Sequence, residues 1–259
     1  MSEAFSVGER AVERALQLND SLADAHATVA IIRCALRGDS EQVHATFRRA
    51  LSLDPNSGRA HYFHAFCLSL DGRISAALEQ AQRAVQLEPL NAQFATGVGR
   101  IHMVGGQPRR GITVLEAALE IAPNLATIYV LLAQAYADVG DWPRAEWAAA
   151  NVERTHPVPA VAAVMRAYTA ARQGNREQAL AHLRAAGDTP PLRLMYTAAV
   201  HAALGEQQRA MEFLELTFAE SSDYFGFVHH PVFDPLRGTA EFREFARRYN
   251  LPVMVERLN

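Results

Sequence analysis

His61 and His64 lie three residues apart, so a helix would turn both imidazoles to one side. His229 and His230 precede Asp234 by a few positions, and all three are residue types that bind metals. A metal site needs three or four converging ligands of fitting type, and neither stretch supplies them alone. Partly buried or surface histidines are the plainer reading. Cys34 and Cys67 are too few for a disulfide framework and are expected as two small core residues. Gly97-Val98-Gly99-Arg100-Ile101-His102 begins like a dinucleotide loop but lacks its third glycine and a preceding strand. Glu212 with Glu215, and Glu241 with Glu244, have the spacing of solvated helix faces. Zinc-protease, paired-cysteine, nucleophile-elbow and phosphate-loop motifs are all missing. The expectation is a protein that is not an enzyme and carries no cofactor and no metal.

Composition narrows the partners. The 259 residues carry a net charge of -3, and all 25 basic residues are arginine. These charges are spread evenly, which argues against a nucleic-acid surface. With 49% hydrophobic and 20% charged residues, the chain has the means to fold. No apolar run reaches the roughly 18 residues of a membrane span. The best candidate, Leu125 to Ala137, is interrupted by Thr127 and Gln134. The opening residues have neither the basic nor the apolar stretch of a secretion signal. A soluble, cytoplasmic protein without membrane partners is expected, in a reducing compartment. Abundant alanine and arginine with no lysine suggest a bacterial source of high GC content.

The elements that must position these residues recur with a fixed period. Gly38, Gly72, Gly106, Gly140 and Gly174 are each 34 residues apart, and so are Pro55, Pro89, Pro123 and Pro157. Stretches rich in Ala, Leu, Glu, Gln and Arg between them predict helices. Glycine suits the turn inside a helical hairpin, and proline the turn between hairpins. Small residues pair 12 apart, as in Ala65 with Ala77, Gly99 with Gly111, Ala133 with Ala145, Ala167 with Ala179 and Ala198 with Ala210. Two antiparallel helices approach closely where both side chains are small. So short a hairpin cannot bury its own apolar face, and its neighbours must stack on it.

This 34-residue pattern of small pairs, mid-repeat glycine and terminal Asp-Pro resembles the tetratricopeptide repeat (TPR) family. The implied fold is an all-α, right-handed TPR-type α-solenoid with a C-terminal capping helix. Residues 1–20 read as a truncated repeat helix, and the chain as beginning inside a repeat of a longer protein. About six repeats follow over 24–224, divided as 24–57, 58–91, 92–125, 126–159, 160–190 and 191–224. In the first repeat, Ile31 and Val43 fall at the small positions unless a one-residue slip brings in Ala30. Residues 225–259 form a turn and a capping helix: Ser221-Ser222-Asp223 breaks the last repeat and Thr239 caps a helix from Ala240 to Tyr249. The third repeat, with Gly97, Gly99, Gly105, Gly106 and Gly111, is either a weak flex point or a place of close packing.

Asp20 to His26, Ala60-His61, Gly72-Arg73 and Phe233 to Phe242 resemble one TPR subgroup in particular. It forms the C-terminal region of bacterial signalling proteins that carry a cyclase, a winged-helix regulator or a Ser/Thr kinase. The family resemblance implies a concave groove lined by the first helix of each repeat. Arg59, Tyr62, Phe66, Gln93, Arg100, Met103, Gln134, Tyr168 and Arg172 are the candidate peptide-binding residues. The lysines and asparagines of the family's carboxylate clamp are missing at these positions. The expected function is a non-catalytic protein-interaction scaffold, a regulatory module that binds a protein segment in its groove. The alternative is a self-association module that forms a homodimer and so pairs an attached output domain. Whether the chain's own end occupies the groove is open at this stage.

Overall fold

The computed structural model describes residues 2–36, 39–156, 158, 160–187, 192–220, 225–252 and 255–258. Thirteen helices form the stack: α1 (Ser2–Leu18), α2 (Ala23–Ala35), α3 (Ser40–Leu53), α4 (Gly58–Leu70), α5 (Ile74–Leu87), α6 (Ala92–Val104), α7 (Pro108–Ile121), α8 (Ala126–Val139), α9 (Trp142–Thr155), α10 (Ala160–Arg172), α11 (Arg176–Ala185), α12 (Leu192–Ala203) and α13 (Gln207–Glu220). Two 3-10 turns follow, Phe225–His229 and Pro231–Phe233, then α14 (Asp234–Arg237) and α15 (Ala240–Arg248). No strand occurs among the described residues.

The periodic glycines end helices in one geometry. Gly72, Gly106, Gly140, Gly174 and Gly205 all have positive φ, between 69° and 83°. The amide after each reaches back five residues: Arg73 to Leu68, Gln107 to His102, Asp141 to Tyr136, Asn175 to Ala170 and Glu206 to His201. Only glycine enters this left-handed cap without a steric cost. The next helix then starts at once, often capped by the following residue. Asp141 and Asn175 accept from the amides of Arg144 and Gln178. Gly38 and Pro157 lie outside the described residues, as does the Ser221-Ser222-Asp223 break.

Consecutive helices pair as α2/α3, α4/α5, α6/α7, α8/α9, α10/α11 and α12/α13. The small pairs sit at the crossings: Ala65, Ala77, Ala133, Ala145, Ala167, Ala179, Ala198 and Ala210 are all at most 1% exposed. In α2, Ala30 is fully buried and Ile31 only half, as the one-residue slip expects. The glycines of α6 serve close packing. A methyl on Gly99 would meet Leu115 at 2.6 Å, and one on Gly97 would meet Tyr62 at 2.7 Å. Packing accounts for these glycines without a hinge.

The two cysteines depart from expectation. They are small and buried, but joined as a disulfide, with Cα atoms 6.2 Å apart. Their helices, α2 and α4, stand side by side as first members of successive pairs, and Cys34 and Cys67 fall at the same height. No described helix is long and apolar enough to cross a membrane.

The histidines of α4 are core elements. His61 bonds to the Gln80 side chain and the Pro55 carbonyl. His64 stacks on Phe47 at 5.0 Å, and neither ring nitrogen has a hydrogen-bond partner among the described residues. Burial, with His44, Arg48, His61 and Arg73 nearby, pushes the His64 imidazole down to about 3. In the unfolded chain it titrates near 6.5. Below pH 6.5 the unfolded state therefore takes up a proton that the folded state refuses, and stability falls as pH drops towards 3. At pH 5 the loss from this group is about 2 kcal/mol. His64→Phe should reduce the acid sensitivity by that amount, read from urea unfolding at pH 7.5 and pH 5.0. Equal acid sensitivity in the two proteins would refute the assignment.

Candidate functional site

Helices α4, α6, α8, α10 and α12 stand in contact one after another and form one wall of the stack. Each turns out side chains at intervals of three or four residues. Tyr62 and Phe66 from α4 and Gln93 and Arg100 from α6 line one open cavity of about 550 Å³. Thr127 and Val130 from α8 complete its wall. Tyr62 stacks on Phe94 at 4.9 Å and fills the space that Gly97 leaves. The Arg100 guanidinium lies 5.3 Å from the centre of the Phe66 ring. No carboxylate of a described residue pairs with Arg100, and no acidic side chain lines the cavity. Arg59 stands apart from it, exposed, with its guanidinium 5.5 Å from the Phe63 ring.

Three of the remaining candidates, Met103, Gln134 and Tyr168, are at most 2% exposed. The chain's own C-terminal segment packs on the inner helices after α13. Its first 3-10 turn touches α4 and α6, and its second touches α12. Phe227 packs on Tyr196 at 4.9 Å, and these two rings close one side of the open cavity. The His229 Nε2 lies 2.7 Å from the Leu70 carbonyl, at the end of α4. His230 Nε2 lies 2.9 Å from Asp138 of α8. The His230 Nδ1 accepts from the Val232 amide, so Nε2 carries the proton towards Asp138.

Asp138 is the hinge of this seam. The Tyr168 hydroxyl donates to its Oδ1 at 2.6 Å, and Arg172 Nη1 donates to the same oxygen at 3.0 Å. Burial and the neighbouring Asp138 carboxylate hold the Tyr168 phenol well above its usual range. Arg172, a candidate to meet a partner, pairs with Asp138 while part of its side chain stays exposed. Phe227 and Tyr196 were missing from the sequence-based site. No periodic signal marks Phe227, because it reaches the groove from outside the repeats.

The histidine and cysteine groups do not make a metal centre. Among the described residues no three His, Cys, Asp or Glu side chains converge to hold an ion.

The arrangement is a TPR-type α-solenoid, an all-α stack of helical hairpins with one face curved inward. Solved structures share it. A tetratricopeptide repeat protein from Parabacteroides merdae matches 89% of this chain and 93% of its own at 12% identity, with a TM-score of 0.67. PilF of Pseudomonas aeruginosa matches 83% of this chain and 91% of its own at 16% identity, with a TM-score of 0.61. YrrB, described as a TPR protein with an unusual peptide-binding site, matches 79% and 98% at 20% identity, with a TM-score of 0.52. No protein-family model and no curated protein matches the chain.

Proposed function

We infer that the chain is a non-catalytic protein-interaction scaffold that seats a segment of a partner in the cavity between α4, α6 and α8. The observation that carries this reading is the cavity itself. It is aromatic, and among the described residues it has no acid in its lining and no counter-ion on Arg100, on inner helices fixed by fully buried contacts. Aromatic residues and arginine dominate interface energetics, and a rigid wall spares a partner the cost of ordering it. The peptide-binding site in the name of YrrB fits the same reading. The subgroup resemblance adds a finer proposal: a regulatory module of a bacterial signalling protein. A cytoplasmic location is no part of the proposal, since the Cys34–Cys67 bridge is a feature that oxidising compartments preserve.

The test is selection of displayed peptides on the immobilised chain, followed by affinity measurement. Tyr62→Ala with Phe66→Ala should weaken a selected peptide by about 30-fold or more, the loss of two central contacts. Unchanged affinity in a folded double variant would refute the site.

A further inference from the structure

Residues 255–258, Val-Glu-Arg-Leu, lie along the turns that join α4 to α5 and α6 to α7. The Glu256 amide donates to the Gly72 carbonyl at 3.2 Å, and the Leu258 amide donates to the Gly105 carbonyl at 2.9 Å. These carbonyls belong to corresponding turns of successive hairpins. The side chains match the helix ends they meet. Helix α5 has Arg73 at its N-cap position, and Arg73 makes no side-chain cap. The Glu256 carboxylate takes that place, accepting from the Ser75 amide at 2.8 Å and from the Ser75 hydroxyl. The Arg257 guanidinium donates to the carbonyl of Val104, the last residue of α6, at 2.7 Å. An acid at a helix start and a base at a helix end are both favoured by the backbone dipoles.

Apolar contacts complete the fit. Val255 and Leu258 pack against the cluster containing Ile74, Ile101 and Val104. A methyl on Gly105 would meet Leu258 at 2.7 Å, so glycine shapes this seat. Arg257 also donates to the His229 carbonyl at 3.0 Å and pairs with Asp234, yet the segment is only partly buried. Glu256 is exposed and its neighbours are half-buried, whereas Phe242 and Phe245 of α15 are fully buried. The strip offers mainly backbone groups and helix ends, which an extended segment of another chain would meet equally well.

We propose that this strip, formed by Gly72, Ser75, Val104 and Gly105, is a binding site for extended segments of the pattern apolar–acidic–arginine–apolar, and that residues 255–258 are its exchangeable occupant. The site shares Val104 with the cavity of Tyr62 and Phe66 but does not rest on that assignment. Exchange has a structural consequence. Arg257 and Leu258 form part of the wall of a second cavity, about 350 Å³, that reaches Met103, Asp138 and Arg172. Displacing the segment removes that wall and opens the covered part of the concave face.

The test uses the full chain and a fluorescent synthetic peptide of residues 250–259. Glu256→Ala, Arg257→Ala and Leu258→Ala together should vacate the strip while the repeats stay folded. The peptide should bind this triple variant saturably. It should bind the unsubstituted chain at least about tenfold more weakly, because the tethered segment competes at high effective concentration. A peptide carrying the same three alanines should not bind. A folded triple variant that ignores the peptide, or that takes both peptides equally, overturns the proposal. Hydrogen exchange on the unsubstituted chain guards against a variant that does not fold. The Glu256 and Leu258 amides should exchange at least about tenfold faster than the α15 core amides, through local opening. Exchange of all of them only through global unfolding would make the segment a fixed part of the core and end the proposal.

Discussion

Replacing Asp138 with alanine should loosen the C-terminal segment from the concave face and destabilise the chain by about 3 kcal/mol. The Asp138 side chain is 6% exposed and His230 only 3%. One carboxylate meets three partners from two places in the chain: Tyr168 and Arg172 of α10 donate to Oδ1, and His230 Nε2 lies 2.9 Å from Oδ2. Removing it leaves a buried phenol and a buried imidazole without their acceptor, and a guanidinium without its counter-charge. Breaking a buried pair from one side typically costs about 3–5 kcal/mol. The lower end applies here, because 31% of the Arg172 side chain still reaches water. Asp138→Asn should cost less, since the amide oxygen can still accept from Tyr168. Urea unfolding gives the loss, and hydrogen exchange over residues 225–237 shows whether that segment opens first. A loss under about 1 kcal/mol, or unchanged protection of that segment, would show that Asp138 does not anchor it.

Phe245→Ala should cost about 3–5 kcal/mol, the range for deleting a large side chain from a well-packed site. Phe245 is fully buried. Its ring meets Phe218 of α13 edge-on at 4.9 Å and lies 5.0 Å from Tyr249 and 5.8 Å from Phe242. This cluster covers the outer side of the last hairpin. In a stack of hairpins each unit leans only on its neighbours, so damage at one end spreads inward from that end. Exchange protection should therefore fall first in α12 and α13 and persist in α6 to α9. Thermal unfolding measures the total loss. A uniform fall in protection along the chain would contradict this end-first reading.

Much of this architecture is legible in the sequence because its causes are local and repeated. A left-handed cap needs glycine, so Gly72, Gly106, Gly140 and Gly174 announce the turns. A close helix crossing needs small residues, so Ala133 and Ala145 mark the crossing of α8 and α9. Asp141 and Asn175 cap the helices that follow because their short side chains reach the free amides. Tyr62, Phe66, Gln93 and Arg100, which the family resemblance singled out, line one cavity.

Other features depend on residues brought together from far apart in the chain, and no period encodes them. Phe227 closes the cavity, His230 meets Asp138, and Glu256 and Arg257 cap helices whose ends lie far earlier in the chain. Tyr62 and Arg100 face the cavity, while Tyr168 and Gln134 are buried. The Cys34–Cys67 bridge likewise arises from the stacking of α2 on α4, which sequence spacing alone allowed without requiring. The repeat determined by itself the helices, their turns and the curved wall they build, because each rests on neighbours within one hairpin. Which of those wall residues remain free was decided by the tertiary structure, because a segment outside the repeats satisfies its own burial and charge by lying across them.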